Sequence, residues 1–66
     1  MQNDITSRRE AEGLSQGELA GAVGVTRQTI NAIERDRYDP SLELAFELAD
    51  HFDCRIEDVF EPDRDG

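Results

Sequence analysis

Sixty-six residues are enough for one small domain, whose marginal core would gain from association with a second subunit. Sixteen acidic against seven basic side chains leave a net charge of −9, the reverse of the basic excess that nucleic-acid binders usually carry. No apolar run approaches the length of about 18 residues that a membrane span needs. The opening MQNDITSRRE lacks the apolar stretch of a secretion signal, and Cys54 is alone, so no internal disulfide is expected and a reducing, cytoplasmic setting is.

A first helix is predicted over residues 4–12, DITSRREAE, with Ile5 as its one strong apolar residue and Arg8 and Arg9 on the next turn. Gly13 is its expected stop, because helix ends favour a residue that tolerates positive φ, and Leu14 anchors the link that follows. Ser15 and Glu18 are spaced as a capping box, and Leu19, Ala20 and Val23 form the apolar face of a short second helix. Gly17 and Gly21 weaken that helix and Gly24 ends it. Val25 packs at the turn, Thr26 caps a third helix, and Ile30 and Ile33 point inward from it. A small residue at Ala20, a turn residue at Gly24 and a buried one at Ile30 are what two helices crossing at a tight turn require. The pattern is that of a helix-turn-helix, a device for placing its second helix in the DNA major groove.

On the third helix, Arg27, Asn31, Arg35 and Gln28 fall at about 0°, 40°, 80° and 100° around the axis, one polar face without a carboxylate, with Glu34 just outside it. A loop, DRYDP, spans residues 36–40, and Ser41 caps a fourth helix running to about Phe52. Its apolar residues Leu42, Leu44, Ala45, Phe46, Leu48, Ala49 and Phe52 cover about 200°, twice the stripe a surface helix needs. One face is therefore expected in the core and another against a second subunit. Residues 56–60, IEDVF, read as a short fifth helix with Ile56, Val59 and Phe60 facing the core; Pro62 closes it and residues 63–66 read as a frayed tail.

The charge is unevenly spread. Residues 41–66 hold nine of the acids and two of the arginines, so most of the negative charge lies away from the proposed reading face. All seven bases are arginine and none is lysine, a composition that fits a protein from a cell with molar internal salt. At that ionic strength the Debye length is about 3 Å and repulsion among carboxylates is screened. The halophile reading predicts a fold that gains stability between dilute buffer and molar salt; an unfolding midpoint indifferent to salt would remove it.

Taken together, L-S-Q-x-E-L-A-x-x-V-G-V-T-R-Q-T-I-N-x-I-E from Leu14 to Glu34, extended by R-Y-D-P-S-L-E-L-A from Arg37 to Ala45, resembles the Xre/Cro, lambda-repressor-like regulators in their short single-domain form. The resemblance covers roughly residues 4–61. It implies an all-α fold of five helices with the helix-turn-helix at the second and third, and one DNA-binding domain over residues 1–66 with an ordered core of about 4–61. Some short members add a small terminal hairpin; here only Phe60 to Asp63 offers a place for one.

Expected roles follow from side-chain chemistry and from the resemblance. Arg27 and Gln28 are the first candidates for base contact, since Arg pairs with guanine O6 and N7 and Gln with adenine N6 and N7. Asn31 can reach a base or a phosphate; Thr29 can offer its methyl to thymine or face the first helix. The resemblance implies a phosphate grip by Gln16 beside the free N–H groups of a helix N-terminus, and backbone contacts from Arg35, Arg37 and Tyr38. Thr26, primarily a cap, can also serve a phosphate. Arg9 and Glu34 resemble the family's structural ion pair between the first and third helices, worth under about 1 kcal/mol if exposed. Arg8, Asp36 and Arg55 depart from the family pattern, which predicts a loosely docked first helix, a strained turn and a frayed fifth helix.

These features point to a transcriptional regulator, a repressor, gripping double-stranded DNA as a homodimer on a pseudo-palindrome through Leu42, Phe46 and Phe60. No cofactor, metal, small-molecule ligand or enzymatic activity is expected: His51 and Cys54 are single, and the carboxylates are scattered. The rival reading is an acidic, antitoxin-like module that neutralises a partner protein. A pure interaction module has no need of Arg27, Gln28 and Asn31 aligned without acids.

Overall fold

The computed structural model describes residues 1–61. Five helices follow one another: α1 (Ile5–Ala11), α2 (Gln16–Val23), α3 (Arg27–Glu34), α4 (Leu42–His51) and α5 (Ile56–Val59). Two short strands, β1 (Gln2–Asn3) and β2 (Phe60–Glu61), pair antiparallel, Gln2 opposite Glu61 and Asn3 opposite Phe60. The place anticipated for a terminal strand is occupied, and its partner is the N-terminal segment. Pro62, Asp63 and the expected tail lie outside the described residues.

Side-chain caps start three of the helices where the sequence puts them. Ser15 Oγ accepts from Glu18 N at 3.0 Å while Glu18 Oε1 accepts from Ser15 N at 2.9 Å, a complete capping box. Thr26 accepts from Thr29 N, and Ser41 from Leu44 N at 3.1 Å. At the first helix Asp4 gives its carboxylate to Arg8, and the capping oxygen for Ile5 N is Asn3 Oδ1, at 3.1 Å.

The helix ends share one device. Beyond α1, α2, α3 and α4, the residue after a left-handed turn donates its N–H five residues back: Leu14 to Arg9, Val25 to Ala20, Arg37 to Ala32 and Cys54 to Ala49. The turning residues are Gly13 and Gly24, then Asp36 at φ 59° and Asp53 at φ 54°. An L-residue there costs more than glycine, but aspartate tolerates the region better than most. Asp36, flagged as a departure, thus does the work of the glycine it replaces.

Ile5, Leu19, Ile30, Ile33 and Leu48 are fully buried and contribute roughly 1.5–3 kcal/mol each by leaving water. Ala20 is buried with them on α2, the helix that packs most extensively on α3. On α4 the apolar arc divides: Leu44, Ala45, Leu48 and Ala49 go inward, while Leu42 and Phe46 remain exposed. Phe60 takes the core-facing place expected of it in the IEDVF segment, and the subunit contact also expected of it is a correction. Phe60 is only 4% exposed, because side chains alternate across a strand and the pairing of β2 turns it into the core and Glu61 outward.

Neither Arg8 nor Arg55 loosens its helix. Arg8 bridges Asp4 at 3.0 Å and donates to the Asp58 carbonyl at 3.3 Å, tying α1 to α5. The Asp58 carboxylate accepts from Arg55 N at 3.0 Å and holds the first turn of α5.

Asn3 ties two elements together. Its oxygen caps α1, and its Nδ2 donates to the Ile33 carbonyl at 2.9 Å, beside the end of α3. Replacing Asn3 by Ala removes a cap and one bond to a partly buried carbonyl, and should cost about 1–2 kcal/mol in urea unfolding.

Candidate nucleic-acid interface

Three elements meet behind the polar face of α3. The guanidinium of Arg9, on α1, holds the Glu34 carboxylate of α3 in a two-pronged grip, Nε to Oε2 at 2.7 Å and Nη2 to Oε1 at 3.2 Å. Its Nη1 donates to the Leu14 carbonyl at 2.8 Å, in the link to α2. Gln16, opening α2, donates Nε2 to Glu34 Oε1 at 2.9 Å. The Arg9 and Glu34 side chains are 12% and 5% exposed, so this pair is nearly buried and the weak exposed case does not apply.

Burial alone would push the Glu34 carboxyl up. Hydrogen bonds from Arg9, Gln16 and Thr6 outweigh it and hold the group below the usual carboxylate range. The same pairing raises Arg9 and keeps it charged. The Glu34 carboxylate, which borders the polar face of α3, is thereby charge-paired and turned inward.

In front of this cluster, Gln16, Arg27, Gln28 and Asn31 line a shallow cleft. Arg27 and Gln28 are exposed; Asn31 and Gln16 are half-buried and touch, Asn31 Nδ2 to Gln16 Oε1 at 3.5 Å. The stem of Arg27 passes beside Gly17: a methyl group there would stand 3.9 Å from Arg27 Cδ, in ordinary van der Waals contact. A second depression is bounded by Thr26, Gln28, Thr29, Ala32, Arg37 and Tyr38. Gln28 borders both and stands at the middle of the face. Thr29 is half-buried, and its hydroxyl lies 3.1 Å from that of Thr26, so local bonding occupies its polar end.

Arg35, Arg37 and Tyr38 are all exposed beyond the end of α3. Gln16, Thr26, Arg27, Gln28, Thr29, Asn31, Arg37 and Tyr38 thus line two adjoining depressions, whereas the apolar trio lies elsewhere. Leu42 and Phe46 lie on α4, 70% and 54% exposed, and Phe60 is buried. Reasoning from sequence missed Asn3, which fastens the end of the reading helix, and the link from Gln16 to Asn31. Neither leaves a local signal, since each joins residues far apart in the chain. His51 pairs with Glu12 at 3.2 Å across α4 and α1, and burial pushes the Cys54 thiol up.

Fold and face together define a helix-turn-helix domain. A helix-turn-helix family profile matches residues 5–59. Over 60 residues the chain is 50% identical to an uncharacterised helix-turn-helix-type transcriptional regulator of Methanocaldococcus jannaschii, covering 91% of each. Over 67 residues it is 51% identical to another from Methanothermobacter thermautotrophicus, covering 100% of this chain and 97% of that one. The restriction-modification controller protein C.AhdI from Aeromonas hydrophila superimposes with a TM-score of 0.77 at 32% identity, covering 85% of each chain. The clp gene regulator ClgR from Corynebacterium glutamicum does so at 0.74 and 28% identity, over 82% of this chain and 57% of that one. The chain belongs to the helix-turn-helix family, in its Xre, lambda-repressor-like form.

Removing one member of a nearly buried ion pair strands the other, at a typical cost of about 3–5 kcal/mol. Arg9→Ala should fall toward the lower end, because Gln16 and Thr6 still serve the carboxylate, and should cost far more than Arg8→Ala. The pH dependence follows from the lowered Glu34 carboxyl: its stabilising effect is complete above the unfolded-state value and is lost as pH falls through the folded one. Chemical denaturation at neutral and acid pH should show the Arg9→Ala deficit shrinking toward the acid end.

Proposed function

We propose that this chain is a sequence-specific regulator of transcription, reading double-stranded DNA with α3 and acting as a repressor on a pseudo-palindromic operator as a homodimer. The observation that carries the reading is the face itself. Arg27, Gln28 and Asn31 stand together on one helix, and no carboxylate lines the cleft they share, in a chain of net charge −9. The relatives' names, transcriptional regulators of the helix-turn-helix type, support the same reading.

In this reading Arg27, Gln28, Thr29 and Asn31 face base edges in the major groove. Gln16, Thr26, Arg35, Arg37 and Tyr38 hold phosphates on either side, fixing register without reading sequence. Repression needs no further surface, since a bound domain occludes a promoter by occupying it.

One such helix reads few base pairs, and a second copy about one DNA turn away supplies the rest. Leu42 and Phe46, one turn apart on α4, are the large apolar groups left in water beside a groove that Phe46, Ala49, Cys54 and Ile56 help to line. Covering them with a second copy would complete the burial that the wide apolar arc of α4 begins. Glu43, Glu47 and Asp50 lie on the same helix, so like charges approach on assembly and added salt should favour the dimer.

Operators selected from random duplexes provide the substrate for the test. On the selected site Gln28→Ala should bind roughly 5- to 140-fold more weakly, the equivalent of about 1–3 kcal/mol, with non-specific binding little changed. Arg37→Ala should weaken all duplexes alike and reduce the salt slope by about 1. Equal binding of wild type and Gln28→Ala on every duplex would refute base reading there. Sedimentation equilibrium at micromolar concentration in molar salt should find wild type dimeric and Phe46→Glu a folded monomer; a monomeric wild type would end the dimer proposal.

A further inference from the structure

We propose that Glu34, through the side-chain amide of Gln16, sets which base Asn31 reads. The proposal rests on the DNA-reading role of α3 given above and adds a specificity-determining relay behind it.

A side-chain amide has a donating end and an accepting end, and exchanging them changes little in its shape. A carboxylate only accepts. Glu34 Oε1 therefore requires the nitrogen of Gln16, which sits 2.9 Å away, and Gln16 must turn its oxygen toward α3. The group it meets there is Asn31 Nδ2, at 3.5 Å. Were Asn31 reversed, two carbonyl oxygens would face each other. The nitrogen of Asn31 is thus drawn toward Gln16, and its Oδ1 is left for the cleft it shares with Arg27 and Gln28.

One hydrogen on Asn31 Nδ2 stays available beside that oxygen. An acceptor next to a donor is the complement of the N6 donor and N7 acceptor of adenine. Guanine presents two acceptors, O6 and N7, and its O6 would oppose Asn31 Oδ1. The relay therefore selects adenine over guanine beneath Asn31. The last link, at 3.5 Å, is at the long limit of a hydrogen bond, so it biases the amide where a shorter bond would clamp it. Gln16 keeps its second Nε2 hydrogen for a phosphate, and the two roles are compatible. Arg9 is a positioning residue one step further back: by gripping Glu34 on both oxygens it keeps the carboxylate ionised and aimed.

Gln16→Met tests the relay, since methionine has similar length and no amide. In the DNA-free protein, the Asn31 side-chain amide resonances should shift on Glu34→Gln when Gln16 is present, and should not respond to Glu34→Gln in the Gln16→Met background. Equal responses in the two backgrounds overturn the relay without reference to DNA. On selected duplexes, the position that loses its preference in Asn31→Ala should favour adenine over guanine about tenfold in wild type, a value within the usual range for one good bidentate contact. Gln16→Met should reduce that preference to about twofold or less while preferences at the positions read by Arg27 and Gln28 persist. A uniform loss of affinity with the adenine preference intact would leave Gln16 a phosphate contact and overturn the proposal. Asn31→Ala with every preference unchanged would also overturn it, by removing the reader; Gln28→Ala on the same duplexes separates that result from failure of DNA reading as a whole. Thermal melts establish that each variant is folded.

Discussion

The Arg9–Glu34 ion pair is the interaction on which the geometry of the reading helix depends. Two charges withdrawn from water are stabilising only when their remaining hydrogen-bonding capacity is met. Here it is met from three directions: by the paired guanidinium and carboxylate, by the Leu14 carbonyl and by the Gln16 amide. Apolar packing presses α2 and α3 together and is non-directional in its driving force. A forked bond between α1 and the end of α3 is directional. It fixes the rotation of α3, and with it where Arg27, Gln28 and Asn31 point.

The same pair resolves the electrostatic problem of the chain. A domain of net charge −9 has to offer phosphate a surface that does not repel it. The two acids within the helix-turn-helix are disposed of locally: Glu34 is held inward by Arg9, and Glu18 is spent on a capping box. Of the other described acids, Glu43, Glu47, Asp50, Glu57, Asp58 and Glu61 lie on α4, α5 and β2, while Asp36 and Asp39, which follow α3, pair with the N-terminal amino group.

Much of this was legible in the sequence because its causes are local. Ser15, Glu18, Thr26 and Ser41 act on backbone three residues away, and Gly13 and Gly24 mark stops by their own conformational freedom. Five helices with the helix-turn-helix at α2 and α3 follow from those signals and from the spacing of Ile30 and Ile33. What escaped was long-range. Strands of two residues carry no periodicity, so the inward turn of Phe60 was readable from the apolar pattern but its pairing with Asn3 was not. Asp53 gives no more sign of a left-handed turn than any surface acid. The partial exposure of α4 was readable as a wide arc; which residues of the arc face outward was settled by packing.

The joining of β1 to β2 has a consequence for the order of events in synthesis. The bond from Asn3 to the end of α3 is presented by a strand whose partner is Phe60, among the last described residues to be made. A nascent chain that already holds both helices of the motif still lacks the fastening of the second. β2, made well after α3, thus completes the support of a helix that precedes it in the chain.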